Sequence, residues 1–191
     1  MEVGEAYHLL KIKNLQEVTM SSGKWNLGAL VIVGLAAGVV QSTAGVLMYV
    51  GGVYFSPWSM LVTVLVLLGC IVAGVSWYRA RYARGGFGYA DALLVGAAIS
   101  LGTGVVYAIY NLITINFVYP NFLDEMVRAR LAMQAAFGAP SGSFESLRAG
   151  ASALPIAVGN LVRLTILGVV ISAIVALFMR DRNRQPAVAA A

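Results

Sequence analysis

Arg163 is the residue best placed to do chemistry in this chain. It lies within the apolar run 154–179, and a cation inside a membrane span is costly enough to count as a functional candidate. Polar side chains recur at comparable depth in other apolar runs: Gln41, Asn111 and Asn116, with Asn160 one helical turn from Arg163. On helices these five form one polar cluster facing a bundle interior, suited to binding an anion or lining a narrow path. A second reading stands beside it. About 20 residues cross the hydrocarbon core, and counted back from Met179 they end at Asn160. Arg163 then lies near an interface, where it snorkels outward or locks helices together. The sequence leaves both readings open.

Asp91 opens an apolar run. A carboxylate there complements the helix dipole and pairs with Arg79, Arg81 or Arg84; a proton relay is the alternative. Those three arginines, followed by Gly85-Gly86-Phe87-Gly88, have the composition of a lipid-phosphate cradle, and equally of a tight turn whose charges orient the spans. Hydrolytic, redox and metal chemistry lack residues. The chain has one histidine, His8, and one cysteine, Cys70, so no disulfide forms within it. It contains no HExxH, no CxxC and no second membrane carboxylate to join Asp91 in an aspartyl protease, and zinc or haem would lack ligands. The expectation is a non-enzymatic protein without metal or cofactor.

The elements that must position these residues are membrane spans. Of 191 residues, 60% are hydrophobic and 11% charged, with a mean hydropathy of +0.82. A soluble domain is about 45–50% apolar and about 25% charged. The expected fold class is therefore all-α, an integral membrane four-helix bundle. Apolar runs at 25–49, 58–78, 90–118 and 154–179 predict four spans within a membrane domain 25–179. Flanking it are an N-terminal tail 1–24 and a C-terminal tail 180–191. The third span organises the rest. Ala92, Gly96, Ser100, Gly104 and Ala108 recur every fourth residue, a ridge that lets another helix approach closely. Gly34 and Gly38 in the first span have GxxxG spacing, and Gly168, Ser172 and Ala176 form a similar row in the fourth. These rows read as contacts within the bundle, or with another protein.

Lys and Arg set the orientation. Nine lie in the two tails and the 79–89 loop, none in the 51–57 turn, and three in 120–153. Both termini are then cytoplasmic. Trp25, Trp77 and Tyr78 fall at the inner interface, and Tyr49, Trp58, Phe117 and Tyr119 at the outer one. The net charge of +5 is explained by these loops, with no nucleic acid as partner. The outer segment 120–153 predicts an amphipathic hairpin. Asn121 is a candidate cap, Asp124 and Glu125 suit a first turn, and Phe122, Leu123, Met126, Val127, Leu131 and Phe137 recur at helical spacing before Gly138-Ala139-Pro140. A second short helix is expected around Ser143–Gly150. The face lies on the membrane surface, caps the bundle or meets a partner.

The Arg79–Arg84 loop ending in Gly85-Gly86, then Ala92 and Gly96, the Tyr119-Pro120-Asn121-Phe122-Leu123-Asp124 stretch, the outer helix and the last span with its basic end carry a resemblance. Over roughly 61–182 the chain resembles an uncharacterised bacterial family of four-span membrane proteins, the domain-of-unknown-function family 4199. Members often have Phe and Lys or Gln near Ala90 and Asp91, and Asp at the place of Asn121. The resemblance implies the four-span topology and a place in the bacterial inner membrane; it implies no activity and no site residues. The function expected is an accessory or structural subunit, packing with itself or with a larger membrane complex among membrane lipids. The alternative is a small transporter or channel-like protein using the Arg163 cluster.

Overall fold

Each apolar run becomes a helix because a chain in hydrocarbon must satisfy its backbone N–H and C=O groups within the segment. The computed structural model describes residues 26–82, 87–138 and 142–179. The tail expected over 1–24, Trp25, Arg84 and the C-terminal tail lie outside them. In chain order the helices are α1 (Leu27–Val50), α2 (Trp58–Tyr82), α3 (Tyr89–Ile113), α4 (Phe122–Ala136), α5 (Phe144–Ala149) and α6 (Ala153–Met179). The α3 span continues through a π-helical turn, Thr114–Val118. α1, α2, α3 with its π turn, and α6 are 24 to 30 residues long and strongly apolar. At 1.5 Å per residue they reach roughly 36–45 Å, more than the ~30 Å hydrocarbon core. The chain is an all-α, multi-pass membrane protein.

Local sequence sets where the spans stop. α1 ends in a Schellman motif: Gly52 N–H donates to Tyr49 O at 3.0 Å and Val53 N–H to Met48 O at 2.9 Å. Gly52 sits at φ +70°, a conformation glycine adopts without a Cβ penalty. At the end of the third span Tyr119 N–H reaches back five residues to Thr114 O, 2.9 Å. Pro120 follows; it has no donor and disfavours helix at the residue before it, so the ladder ends there.

α3 is central, touching α1, α2 and α6. Its pairing with α6 is antiparallel and small-on-small. A Cβ placed on Gly96 would lie 2.6 Å from Ser172 Cβ, and one on Gly168 would collide with Ser100. Ala92 and Ala176, at the next step of the same register, are fully buried. One Cβ on Gly104 would meet Leu161 Cδ1 at 2.9 Å and Thr165 Oγ1 at 3.1 Å. Ala108, further along the ridge, is half-buried. A second face of α3 receives α1 in parallel: a Cβ on Gly102 would lie 2.8 Å from Gly34 Cα, and Gly38 meets Val106. Three hydroxyls in these seams bond to their own helix, Ser100 to Gly96 O (2.7 Å), Thr103 to Ile99 O (2.8 Å) and Ser172 to Gly168 O (2.6 Å), whereas Thr165 Oγ1 is buried without a partner among the described residues. The three bonded hydroxyls present mainly carbon to the facing helix.

The two ends of the bundle differ. At the arginine-rich end, Asn26 N–H donates to Tyr78 Oη at 3.0 Å and Arg79 Nη1 to Met179 O at 3.1 Å. Tyr78, expected at the inner interface, lies at this end and is buried in the core cluster, its hydroxyl taken by the start of α1. At the other end α4 and α5 lie over the bundle as a cap.

Candidate functional site

The cap is pinned by aromatic rings. Phe122, at the start of α4, is buried. Its ring centroid lies 5.7 Å from Tyr49, 5.5 Å from Tyr54 and 5.3 Å from Phe55. Tyr49 stacks on Tyr119 at 4.1 Å and donates to Glu125 Oε2 at 2.9 Å. Within α4 the buried residues are Phe122 and Val127, whereas Phe137 is 82% exposed. The amphipathic face expected over Phe122–Phe137 thus caps the bundle with its first turns only, its later apolar residues Met133 and Phe137 being exposed. Asn121 occupies the N-cap position without a side-chain capping bond. Ser143 caps α5, accepting from Ser146 N–H. Arg148 pairs with Asp124, tying α5 to α4.

Beneath the cap is a cavity of about 190 Å³. Arg163 and Asn160 of α6, Tyr107 of α3, Thr63 and Ser59 of α2 and Tyr54 of the α1–α2 turn supply its polar lining. Met48, Phe55, Phe122, Met126 and Ile156 supply the apolar part. Tyr54 and Tyr107 share a hydrogen bond between their hydroxyls, 3.2 Å. Burial pushes the Tyr54 phenol above its ordinary pKa, while the bond to Tyr107 and the charge of Arg163 pull it back. Arg163 is exposed on its other side. Among the described residues it makes no hydrogen bond or ion pair.

The single inward-facing cluster of Arg163, Asn160, Asn111, Asn116 and Gln41 is corrected by these placements. Arg163 and Asn160 share the cavity. Asn111 is buried, but its Nδ2 donates to Tyr107 O at 2.6 Å. Asn116 is exposed and bonds Leu112 O at 2.8 Å. The physical cause is common to both: an amide on a helix satisfies itself on the carbonyl one turn back. Gln41 is fully buried on the α1 stripe that carries Met48 two turns on, and both its amide atoms lack a partner among the described residues. Sequence reasoning missed Tyr54, Tyr107, Ser59 and Thr63. The charge-free turn holding Tyr54 gave no polar signal, and uncharged hydroxyls in an apolar run look like packing residues.

At the arginine-rich end, Asp91 Oδ2 accepts from Gly88 N–H at 2.9 Å. A carboxylate of the chain itself thus occupies the donor that a phosphate would use at this helix N-terminus. Arg81 lies 5.8 Å from the Trp77 ring centroid, and Arg79 is bound to Met179 O. Both headgroup candidates that fall among the described residues therefore have partners inside the protein. Among the described residues no group of His, Cys, Asp and Glu gathers that would hold a metal ion.

No curated protein and no solved structure matches the chain. A family model described as "Protein of unknown function (DUF4199)" matches residues 32–181, which takes in all of α2 to α6 and most of α1. The chain therefore belongs to that family of unknown function.

Proposed function

We propose that this protein is a non-enzymatic accessory subunit of a membrane assembly. It sits in the bacterial inner membrane with both termini in the cytoplasm and the α4–α5 cap outside. The orientation rests on the nine Lys and Arg assigned to one side against three on the other. The observation that supports the accessory role is the closure of the bundle below the cavity. Leu67, Ile71, Val75, Val95, Ile99 and Leu164 are fully buried there, and the hydroxyls of Ser100, Thr103 and Ser172 are spent on their own helices. Such a core is a scaffold and offers no polar route across the membrane. The surface facing lipid carries large apolar residues such as Ile32, Leu65, Ile109 and Ile166.

The test is purification from native membranes in mild detergent, with mass spectrometry of whatever remains bound. A fixed stoichiometry, with further copies of the chain or with other membrane proteins, supports the subunit reading. A solitary monomer overturns it.

A small transporter is the second reading, and the observation favouring it is an arginine in a span, Arg163, with no counter-ion among the described residues. Anion flux into liposomes that is lost in Arg163→Leu at equal expression would support it. Flux that is absent from the unaltered protein would exclude it.

A further inference from the structure

We infer that the cavity beneath the cap is a binding site for a small carboxylate carried on an apolar body, with Arg163 as its counter-ion. The inference goes beyond the accessory role and does not need it, since a site of this kind persists whether or not partners are found.

Charge comes first. A guanidinium stays protonated in proteins, so Arg163 brings a permanent positive charge to a span. None of the cap's acids pairs with it among the described residues: Asp124 is bound to Arg148, Glu125 accepts from the Tyr49 hydroxyl, and Glu145, in the first turn of α5, makes no ion pair. Among the described residues, then, no carboxylate partners Arg163, and its charge is open to an anion from outside. A cation in a membrane span without a partner is costly, and an anion beside it offsets the cost.

The donors around it match an acceptor-only ligand. Asn160 lines the same cavity and makes no hydrogen bond among the described residues, so its amide hydrogens are available. The Tyr54–Tyr107 pair shares one hydroxyl hydrogen across 3.2 Å, which leaves the other hydroxyl free to donate. Guanidinium, amide and phenol thus line one cavity as donors, and an ionised carboxylate only accepts.

Size and polarity fix the rest of the ligand. The space measures about 190 Å³, and a cavity of about 150 Å³ holds benzene. The ligand body is then about six carbons, lying against Phe122, Phe55 and Met126 with its carboxylate toward Arg163. Two sources present this chemistry: a free short acid from the aqueous side, or a membrane fatty acid whose tail leaves past the exposed face of Arg163.

The experiment uses the full chain in an uncharged detergent. Hexanoate and benzoate are titrated by calorimetry, with hexan-1-ol and inorganic phosphate as probes lacking one half of the chemistry. The expected result is saturable binding of the two acids, weaker by on the order of 10–100-fold in Arg163→Gln. Arg163→Lys should keep part of the affinity, which shows that a folded protein with a charge at this position still binds. Met126→Trp fills the apolar half without touching the charge and should also weaken binding by tenfold or more. Palmitate in phosphatidylcholine vesicles forms the second arm. Arg163-dependent binding of palmitate but not of hexanoate assigns the site to a membrane fatty acid. Failure of both acids and palmitate to bind overturns the inference. Phosphate binding as well as hexanoate, or Arg163→Gln leaving affinity unchanged, overturns it too. A solitary monomer on native purification would sink the subunit reading and leave these titrations unaffected.

Discussion

Replacing Gly96 by alanine puts a methyl group into the α3–α6 seam. The new carbon would lie 2.6 Å from Ser172 Cβ, where carbon atoms favour about 3.5 Å or more. The two helices must part by roughly 0.9 Å along a seam that also joins Ser100 to Gly168, at an overpacking cost of about 1–3 kcal/mol. Alanine recovers up to about 1 kcal/mol as a better helix former, so the net expectation is a loss of about 1 kcal/mol. The diagnostic quantity is the coupling to position 172. Ser172→Gly removes the obstructing carbon and hydroxyl. Its own effects, including the lost bond from Ser172 Oγ to Gly168 O, cancel in a double-mutant cycle. In that background Gly96→Ala should become neutral or stabilising, giving a coupling of about 1–2 kcal/mol. Reversible unfolding in mixed detergent micelles, followed by circular dichroism, measures all four corners. An identical effect of Gly96→Ala in both backgrounds would refute the seam as described.

Three further outcomes follow from the same geometry. Gln41→Met keeps the volume and removes two buried amide atoms without partners; a gain of about 1 kcal/mol in unfolding stability is expected, and a loss would mean the amide is satisfied. Phe122→Ala empties the centre of the aromatic cluster and should cost about 3 kcal/mol locally, seen as faster hydrogen exchange in α4 with α1–α3 unchanged; equal protection of α4 would contradict its role as the pin. Arg148→Ala breaks the pair with Asp124, whose side chains are 38% and 39% exposed, so thermal unfolding should move by less than ~1 kcal/mol; a large shift would mark the pair as buried in an assembly.

The spans were legible because apolar runs of this length have one solution in a bilayer, and α3 and α6 carry their small residues at a regular four-residue step. That Gly96–Ser100 would meet Ser172–Gly168 was not legible. Each row is visible alone, but register is a property of the pair. Gly102 escaped notice because it lies off the main ridge and contacts α1 through a second face. The site was half legible. Arg163 and Asn160 stand out by charge and by one-turn spacing, whereas Asn111 and Asn116 look equally polar and spend their amides on their own helix. Tyr54 and Tyr107 are 53 positions apart and meet only because a tight Gly52 turn folds one over the end of α3.

Among the described residues the bundle is shut through its middle and opens to the cavity at the cap end. Single cysteines introduced at Thr63, Asn160, Leu67 and Val95 in a Cys70→Ser background test it, with a membrane-impermeant maleimide applied from either side of sealed vesicles. The prediction is labelling at Thr63 and Asn160 from the cap side alone, and none at Leu67 or Val95, which are fully buried. Labelling at Leu67 or Val95, or of the cavity positions from the arginine-rich side, would mean that the bundle is not shut and would point to a path through the membrane.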